Sequence, residues 1–434
     1  MVDDGLSGSA RDFRVPGGPD LLTRGDAFHR WQDGRRRNGV WPYSRATESG
    51  PATACDAYDD AGRAQRGVNF ASQDYLSLSA HPAIAAAATE TIARFGVHSA
   101  GSAVLLGNTS ISVALERRIA EFLSMEEAIL YPTGWAAGYG VIRGLVRSAD
   151  HVVLDALAHT CLQEGANAAT RNISVFRHLD LDHCRSKLRS IRAKDAENGV
   201  LVVTEGLFSM DSDTPDIIAL QQLCREYRAT LLVDVAHDLG CLGDDGRGQI
   251  GIQGMLGKVD LVMGSFSKTF ASNGGFVATN KRAIKEYLRY YSPSTTFSNA
   301  LSPAQTAVIL KAFEIVGSTE GHILRGKLLE NVTFLRNSLV ERGLEIFGDP
   351  SAIVCVKVGA ENLARVVSRS LPDMGLLANL VEYPAVAKGS ARLRLQVMAG
   401  HSRSDILHAA ECIRKAVDAS VDDLMHAAGR TQAA

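Results

Sequence analysis

No two of the seven cysteines (Cys55, Cys161, Cys184, Cys224, Cys241, Cys355 and Cys412) form a C-x-x-C pair, and their number is odd. Scattered cysteines of this kind exclude a disulfide framework and a zinc site, and fit reduced thiols in a cytosolic enzyme. No apolar run approaches membrane-spanning length. Ala85 to Ala93 is rich in alanine, but Thr89, Glu90 and Thr91 interrupt it and it reads as a helix. The first residues, Met1-Val2-Asp3-Asp4-Gly5, are acidic and lack the basic stretch and apolar core of an export signal, so a cytoplasmic location is expected. Neither charge sign is in excess: 46 basic residues face 48 acidic ones, for a formal net charge of −2. That balance argues against a nucleic-acid partner. The short basic run Arg35-Arg36-Arg37 is expected to be a solvated face, with contact to an anionic substrate or membrane surface as the lesser alternative.

What is present is apolar residue in quantity, 46% of 434 residues, enough for a large domain plus a smaller one. Residues 1–65 are rich in Gly, Asp, Arg and Ser and read as a partly ordered extension, with a helix at Asp26 to Arg36 and a loop or short hairpin at Glu48 to Arg66. From Gly67 strands and helices alternate. Pro82 to Phe95 is a helix with proline in its first turn. Ser110 or Ser112 is expected to cap a second helix running to Leu123, with Glu116 on its polar stripe. Strands are expected at 128–131, 151–154, 173–177, 200–204, 230–235 and 259–263. Runs such as Gly199-Val200-Leu201-Val202-Val203 suit strands buried on both faces of a mainly parallel sheet, and the alternation indicates an α/β fold. Beyond Ser292 the pattern changes to one long helical stretch, Pro303 to Arg342, then strands and helices of a smaller α+β unit. The expected limits are therefore an extension at 1–65, a large α/β domain at 66–296 and a small α+β domain at 297–434. The tail from Gly429 is expected to fray.

The chain is organised around Met263-Gly264-Ser265-Phe266-Ser267-Lys268-Thr269-Phe270-Ala271-Ser272-Asn273-Gly274-Gly275-Phe276. A short apolar strand delivers one lysine among small residues, and a second apolar strand leaves. A lysine at the end of a buried strand is costly unless its charge is used or removed, and burial frees its amine to attack a carbonyl. This reads as a Schiff-base lysine for pyridoxal phosphate (PLP), against the plainer reading of a solvated turn. Ser265-Phe266-Ser267-Lys268 also fits the S-x-x-K pattern of serine β-lactamases, but the S-D-N and K-T-G that should follow are missing.

Other polar residues fall at strand ends, where open parallel sheets place their ligands. Asp234 ends one strand and could hold the protonated pyridine nitrogen of PLP, or form a structural ion pair. His237 could donate to the ring's phenolic oxygen, or be a core histidine. D-x-x-H also suggests a metal pair, but no Glu or Cys stands at ligand spacing, so no metal is expected. Gly134 and Trp135 open a helix after Tyr131-Pro132-Thr133, a ready phosphate site or an ordinary turn. His159 opens the next helix, as a ring-stacking group or a cap. Ser209, in Thr204-Glu205-Gly206-Leu207-Phe208-Ser209-Met210-Asp211, could bond the ring oxygen or lie in a turn.

Together these segments resemble the α-oxoamine synthases, the PLP family of serine palmitoyltransferase, 5-aminolevulinate synthase, 8-amino-7-oxononanoate synthase and 2-amino-3-ketobutyrate ligase. The resemblance runs from about Val68 to Ile413. It rests on T-E-G-x-F-S-M-D at 204–211, D-x-A-H-x-x-G at 234–240 and G-S-F-S-K-T-F-A-S-x-G-G-F at 264–276, the last most like serine palmitoyltransferase. It implies the fold type I (aspartate-aminotransferase-like) large domain and a homodimer with its active site at the interface. It also assigns roles. Lys268 matches the Schiff-base lysine, Asp234 the pyridine partner, His237 the phenolic-oxygen partner and His159 the ring-stacking histidine. Gly134, Trp135 and Ser265 match phosphate contacts, and Ser298 matches the hydroxyl that reaches phosphate from the second subunit. Arg394 matches the arginine that binds the amino-acid carboxylate, a bidentate task suited to its fork.

The chain departs from the family at the acyl-substrate side. Gln73 stands where an asparagine is usual, Ala103 replaces an arginine, Ser112 a histidine and Val235 a glutamate. The implied reaction is a decarboxylative Claisen condensation of an amino acid with an acyl thioester of coenzyme A or an acyl carrier protein. Another PLP reaction on the same scaffold, transamination or aldol cleavage, is the alternative. A non-catalytic subunit of the family is the third reading, disfavoured because Lys268, Asp234 and His159 are all kept.

Overall fold

The computed structural model describes residues 5–432. Contacts group the chain into two compact units, one of residues 74–209 and 213–326, the other of residues 1–73, 210–212 and 327–434.

The first unit is built on a seven-stranded sheet. In chain order its strands are β1 (Glu127–Tyr131), β2 (His151–Asp155), β3 (Asn172–Phe176), β4 (Val200–Glu205), β5 (Thr230–Asp234), β6 (Leu261–Ser265) and β7 (Gly275–Thr279). Their spatial order is β1-β7-β6-β5-β4-β2-β3. All pairings from β3 across to β6 are parallel, and β7 alone runs antiparallel, between β6 and β1. β4 is buried along its whole length, as its unbroken apolar run requires. The helices Gly134–Leu145 and Thr160–Ala169 cover one face through Ala137, Val141, Ile142, Leu162 and Ala166, packed on Val152, Val203 and Met263. Register places Glu205 opposite Asp234 and Ser265 opposite Gly275, so the chemically loaded residues share one edge.

Several local expectations change. The cap of Ser110–Leu123 is Thr109, whose hydroxyl accepts from the Ser112 amide at 3.2 Å. Glu116 is buried, not on a polar stripe, because Arg289 and Lys285 reach it at 3.0 and 3.1 Å. The long helix expected from Pro303 is two, Pro303–Val316 and Thr319–Glu341; the break falls at Gly317-Ser318, a weak helix former followed by a hydroxyl that bonds back to Ile315 O at 2.7 Å.

His178 ties the edge of this unit together. It bridges Asp155 at 2.8 Å and Asp213 at 3.0 Å. Burial works against its charge, but the hydrogen bonds to the two carboxylates outweigh it and hold the imidazolium up to about 10. The folded pKa lies above the unfolded value of about 6.5. Its contribution to stability is therefore complete below about pH 6.5 and is lost as pH rises through about 10. The urea-midpoint difference between the wild type and His178→Gln should shrink between pH 7 and pH 10.5; a constant difference would remove this assignment.

The second unit carries two four-stranded sheets. One pairs Ala46–Thr47, Ala54–Tyr58, Ala64–Asn69 and Leu376–Leu377; the other pairs Ile346–Phe347, Ile353–Gly359, Ala391–Gln396 and Asn379–Val381. In the basic run on the helix Asp26–Arg37, Arg37 is exposed and Arg36 half-buried, as a solvated face would have them, but Arg35 is not. Arg35 is fully buried, bonded to Glu382 at 2.8 Å and set against the rings of Trp31 and Trp41, and Arg365 takes the other oxygen of Glu382 at 2.7 Å. The last helix, Arg403–Gln432, is helical through the stretch expected to fray; residues 433–434 lie outside the described residues, as do 1–4.

Candidate active site

The loop 266–274 between β6 and β7 carries Lys268. Phe266 and Phe270 flank it and sink into a cluster with Phe276 and Phe313, so the lysine is held from both sides. The turn is closed by Phe266 N–H to Gly274 O at 3.0 Å and Ser272 N–H to Phe266 O at 3.1 Å. Gly274 adopts φ +111°, and an added Cβ there would meet Leu301 at 3.0 Å, so only glycine fits.

Lys268 opens into a cavity of about 250 Å³ whose lining includes Asp234, Glu205, His159, His237 and Ser265. Gly134 and Trp135 line it too. Each arrives from a strand end. Asp234 closes β5 and accepts from the Ala236 amide at 2.9 Å. Glu205 closes β4 and accepts from the His159 amide at 2.6 Å. His159 itself caps Thr160–Ala169, its Nδ1 accepting from the Cys161 amide at 3.3 Å. His237 shares a 2.9 Å hydrogen bond with the Tyr75 hydroxyl.

The electrostatics are unusual. Burial pushes Glu205 well above the carboxylate range, and the charge of Asp234 adds to it. Burial also raises Asp234, opposed by the charges of His159 and Lys268. Two buried carboxylates facing each other resist a second charge, and the cations His159 and Lys268 favour the charged form of Asp234. Cys161 is driven upward by burial and stays a thiol.

The opposite end of the cavity is a cradle. Thr133 caps Gly134–Leu145, its hydroxyl accepting from Ala136 N–H at 3.0 Å, and the first-turn amides of Gly134 and Trp135 have no intrahelical carbonyl to bond. A Cβ on Gly134 would lie 2.3 Å from Ser265 Cβ, so glycine is what brings the helix start onto the serine. Ser265 and Ser267 hydroxyls stand 2.8 Å apart beside it. Trp135 is half exposed and stacks on Tyr139.

The residues thus fit a flat, doubly ended ligand: an anionic end at the cradle, a cationic ring atom near Asp234, and a carbonyl within reach of an amine. A scan against family models matches residues 65–413 to aminotransferase class I and II. The chain belongs to this family. Within the aminotransferase class I and II family it is an α-oxoamine synthase. It is 33% identical to the serine palmitoyltransferase of Sphingobacterium spiritivorum over 83% of this chain and 89% of that protein. It is 34% identical to the 8-amino-7-oxononanoate synthase of Geotalea daltonii over 79% of this chain and 86% of that one. Its 30% identity to the 4-hydroxy-2,2'-bipyrrole-5-methanol synthase PigH of a Serratia strain covers 91% of this chain but only 60% of that longer protein. Among solved structures, the serine palmitoyltransferase of Sphingomonas wittichii superposes with a TM-score of 0.86 at 28% identity, covering 93% of this chain and 99% of that one. The serine palmitoyltransferase of S. paucimobilis with bound PLP–myriocin gives the same score at 27% identity, again over 93% of this chain and 99% of that one.

The candidates from sequence divide in two. Lys268, Asp234, His237, His159, Gly134, Trp135 and Ser265 line one cavity. Ser209 is buried on the loop after β4, and Ser298 is half-buried after the turn Pro293–Thr296; neither is in that lining. Gln73 and Arg394 belong to the other unit. There Arg394 sits half-buried on its strand opposite Cys355 and Asn379, with Nε unpaired. Glu205 and Tyr75 were missed as site residues. Glu205 stood inside a quoted motif, but its role depends on facing Asp234 across two strands.

Proposed function

We propose that this α-oxoamine synthase uses PLP to condense an amino acid with an acyl thioester, releasing the free thiol, CO₂ and an α-amino ketone. The observation that supports it most is the cavity shared by Lys268, Asp234 and Glu205, with both carboxylates buried. PLP, when bound, supplies an electron sink for negative charge at the substrate α-carbon. Lys268 would hold its aldehyde carbon, and the first-turn amides with Ser265 its phosphate. The Lys268 Nζ would take the substrate α-proton and return it. Asp234 would hold the proton on the ring nitrogen by its charge. Glu205, through the His159 amide, fixes where His159 stands on the cavity wall. The Tyr75 hydroxyl fixes the ring of His237 for the phenolic oxygen. Arg394 and Gln73 are assigned to the substrate carboxylate, and Ser209 to the ring oxygen.

Purified protein given a panel of amino acids with short, medium and long acyl thioesters should release thiol and CO₂ in equal amounts. A 2-oxo acid in their place would mean transamination, and no PLP bound would mean a non-catalytic subunit.

A second copy of the chain completes the proposal, with Ser298 serving the partner's site; the thioester is carried by coenzyme A or an acyl carrier protein, and the location is cytoplasmic. Among the described residues no helix is long and apolar enough to cross a membrane. The dimer is supported by apolar side chains left in water: Leu106 is 92% and Phe297 87% exposed. Their loops are tied to each other by Ala300 N–H to Gly101 O at 2.8 Å and Ser99 to Ala300 O at 2.8 Å. Such a patch marks an interface. The double variant Leu106→Asp, Phe297→Asp should run as a monomer in light scattering and lose turnover; a variant that remained dimeric would move the interface elsewhere.

A further inference from the structure

A second small cavity lies in the unit of residues 1–73, 210–212 and 327–434, and no role in the condensation falls to it. It is a cavity of about 30 Å³ between the end of the helix Asp26–Arg37, the hairpin of Ala54–Tyr58 and Ala64–Asn69, and the helix Glu361–Ser370. One ordered water needs about 10–15 Å³ on such a measure, so the room suits about two oxygen atoms, with an open mouth for whatever they are attached to.

Its lining offers donors, with one acceptor, Gln65 Oε1, among them. Trp41 Nε1 and Arg45 Nε are buried donors without a hydrogen-bond partner. Neither group can act as an acceptor. Ser368 is 3% exposed and Gln65 7% exposed, and the Ser368 hydroxyl and Gln65 Oε1 are likewise unpaired. Four orphaned polar atoms on one small cavity are far from the usual pattern, in which buried polar groups find partners.

The charge points the same way. Arg36, Arg45, Arg63, Arg365 and Arg369 line the cavity against Asp59 and Asp60. Asp60 is taken by Arg36 at 2.6 Å and Asp59 by Arg63 at 3.3 Å, while Arg365 is taken by Glu382 at 2.7 Å. Arg45 and Arg369 have no carboxylate partner among the described residues. Burial lowers the Arg45 guanidinium and Asp59 opposes it; Nη1 donates to Ala378 O at 3.2 Å, while Nε is left without a partner.

We infer that this cavity binds a small oxyanion, the phosphate or carboxylate head of a small molecule, held by Arg45, Trp41 and Ser368 with Arg369 at the rim. The two obligate donors exclude a cation. The surplus of arginine favours an anion over water, and the volume excludes anything larger than a head group from the interior. The ligand would join the N-terminal segment to the helix Glu361–Ser370, and so would raise the stability of this unit.

The test uses the PLP-loaded full chain, so that the phosphate cradle at Gly134 is already filled. Thermal unfolding is followed with sodium phosphate, sodium acetate and sodium chloride at matched ionic strength. Phosphate or acetate should raise the midpoint saturably, by about 2–4 °C at tenfold over half-saturation, and whichever of the two acts identifies the head group. The rise should vanish in Arg45→Gln and weaken in the rim variant Arg369→Gln, both with the visible cofactor absorbance retained. If Arg45→Gln does not fold, Arg369→Gln carries the test alone. A rise with chloride equal to that with the oxyanions, no rise at all, or a rise unchanged in either variant would overturn the inference.

Discussion

Lys268→Ala is expected to lose the visible absorbance of the lysine-bound cofactor and to lower turnover by about 10⁴-fold or more, since both the covalent hold and the proton carrier go together. The fold should survive. Lys268 is only half-buried, and the loop around it is anchored by Phe266 and Phe270, which the substitution does not touch. Unfolding of the variant should therefore match the wild type, and PLP should still be retained by the cradle at Gly134 and Ser265, though more weakly. The decisive pair of measurements is the absorbance spectrum and product formation on one sample. A variant that kept both would show that the amine of another residue does this work.

Asp234→Asn should cost about 10²–10³-fold in turnover, the usual scale for removing one oriented charge from a closed site. Asparagine has nearly the same shape and can still accept from the Ala236 amide through its carbonyl oxygen. What it removes is the charge that holds a proton on the ring. Glu205→Gln is the matched control. Burial disfavours a charge on Glu205, and glutamine keeps an oxygen for the His159 amide, so its turnover should fall far less than that of Asp234→Asn. If the two substitutions cost the same, the two carboxylates do not play different roles. Activity of Asp234→Asn within twofold of the wild type would remove the ring-nitrogen role altogether.

Much of the site was legible because it is made of strand ends. A buried strand shows as an apolar run, and the first polar residue after it marks the edge of the sheet; Asp234, Lys268 and the Thr133-Gly134 turn were found this way. Glu205 was not, because a carboxylate at a strand end looks ordinary until its neighbour across the ladder is known. The family likeness added what spacing could not, such as His159, which by its own residue type reads as a cap and in the fold is one as well. The errors elsewhere share one cause. Thr109 and Ser110 are both good caps, and only backbone geometry chooses between them. Arg35 sits in a basic run and would be solvated in isolation. It is buried because Glu382, far along the chain, is there to receive it.

That pairing also sets an order of events at the ribosome. Arg35 emerges early, whereas Arg365 and Glu382 are made near the end, and the sheet of residues 46–69 gains its fourth strand only at Leu376–Leu377. At about 5–20 residues per second, the first seventy residues wait on the order of tens of seconds for their partners, while residues 74–326 can already collapse. The nascent amino-terminal arm, with Arg35 still lacking Glu382, is thus the stretch a chaperone would meet first, and a chain cut short before residue 382 would leave it without that anchor.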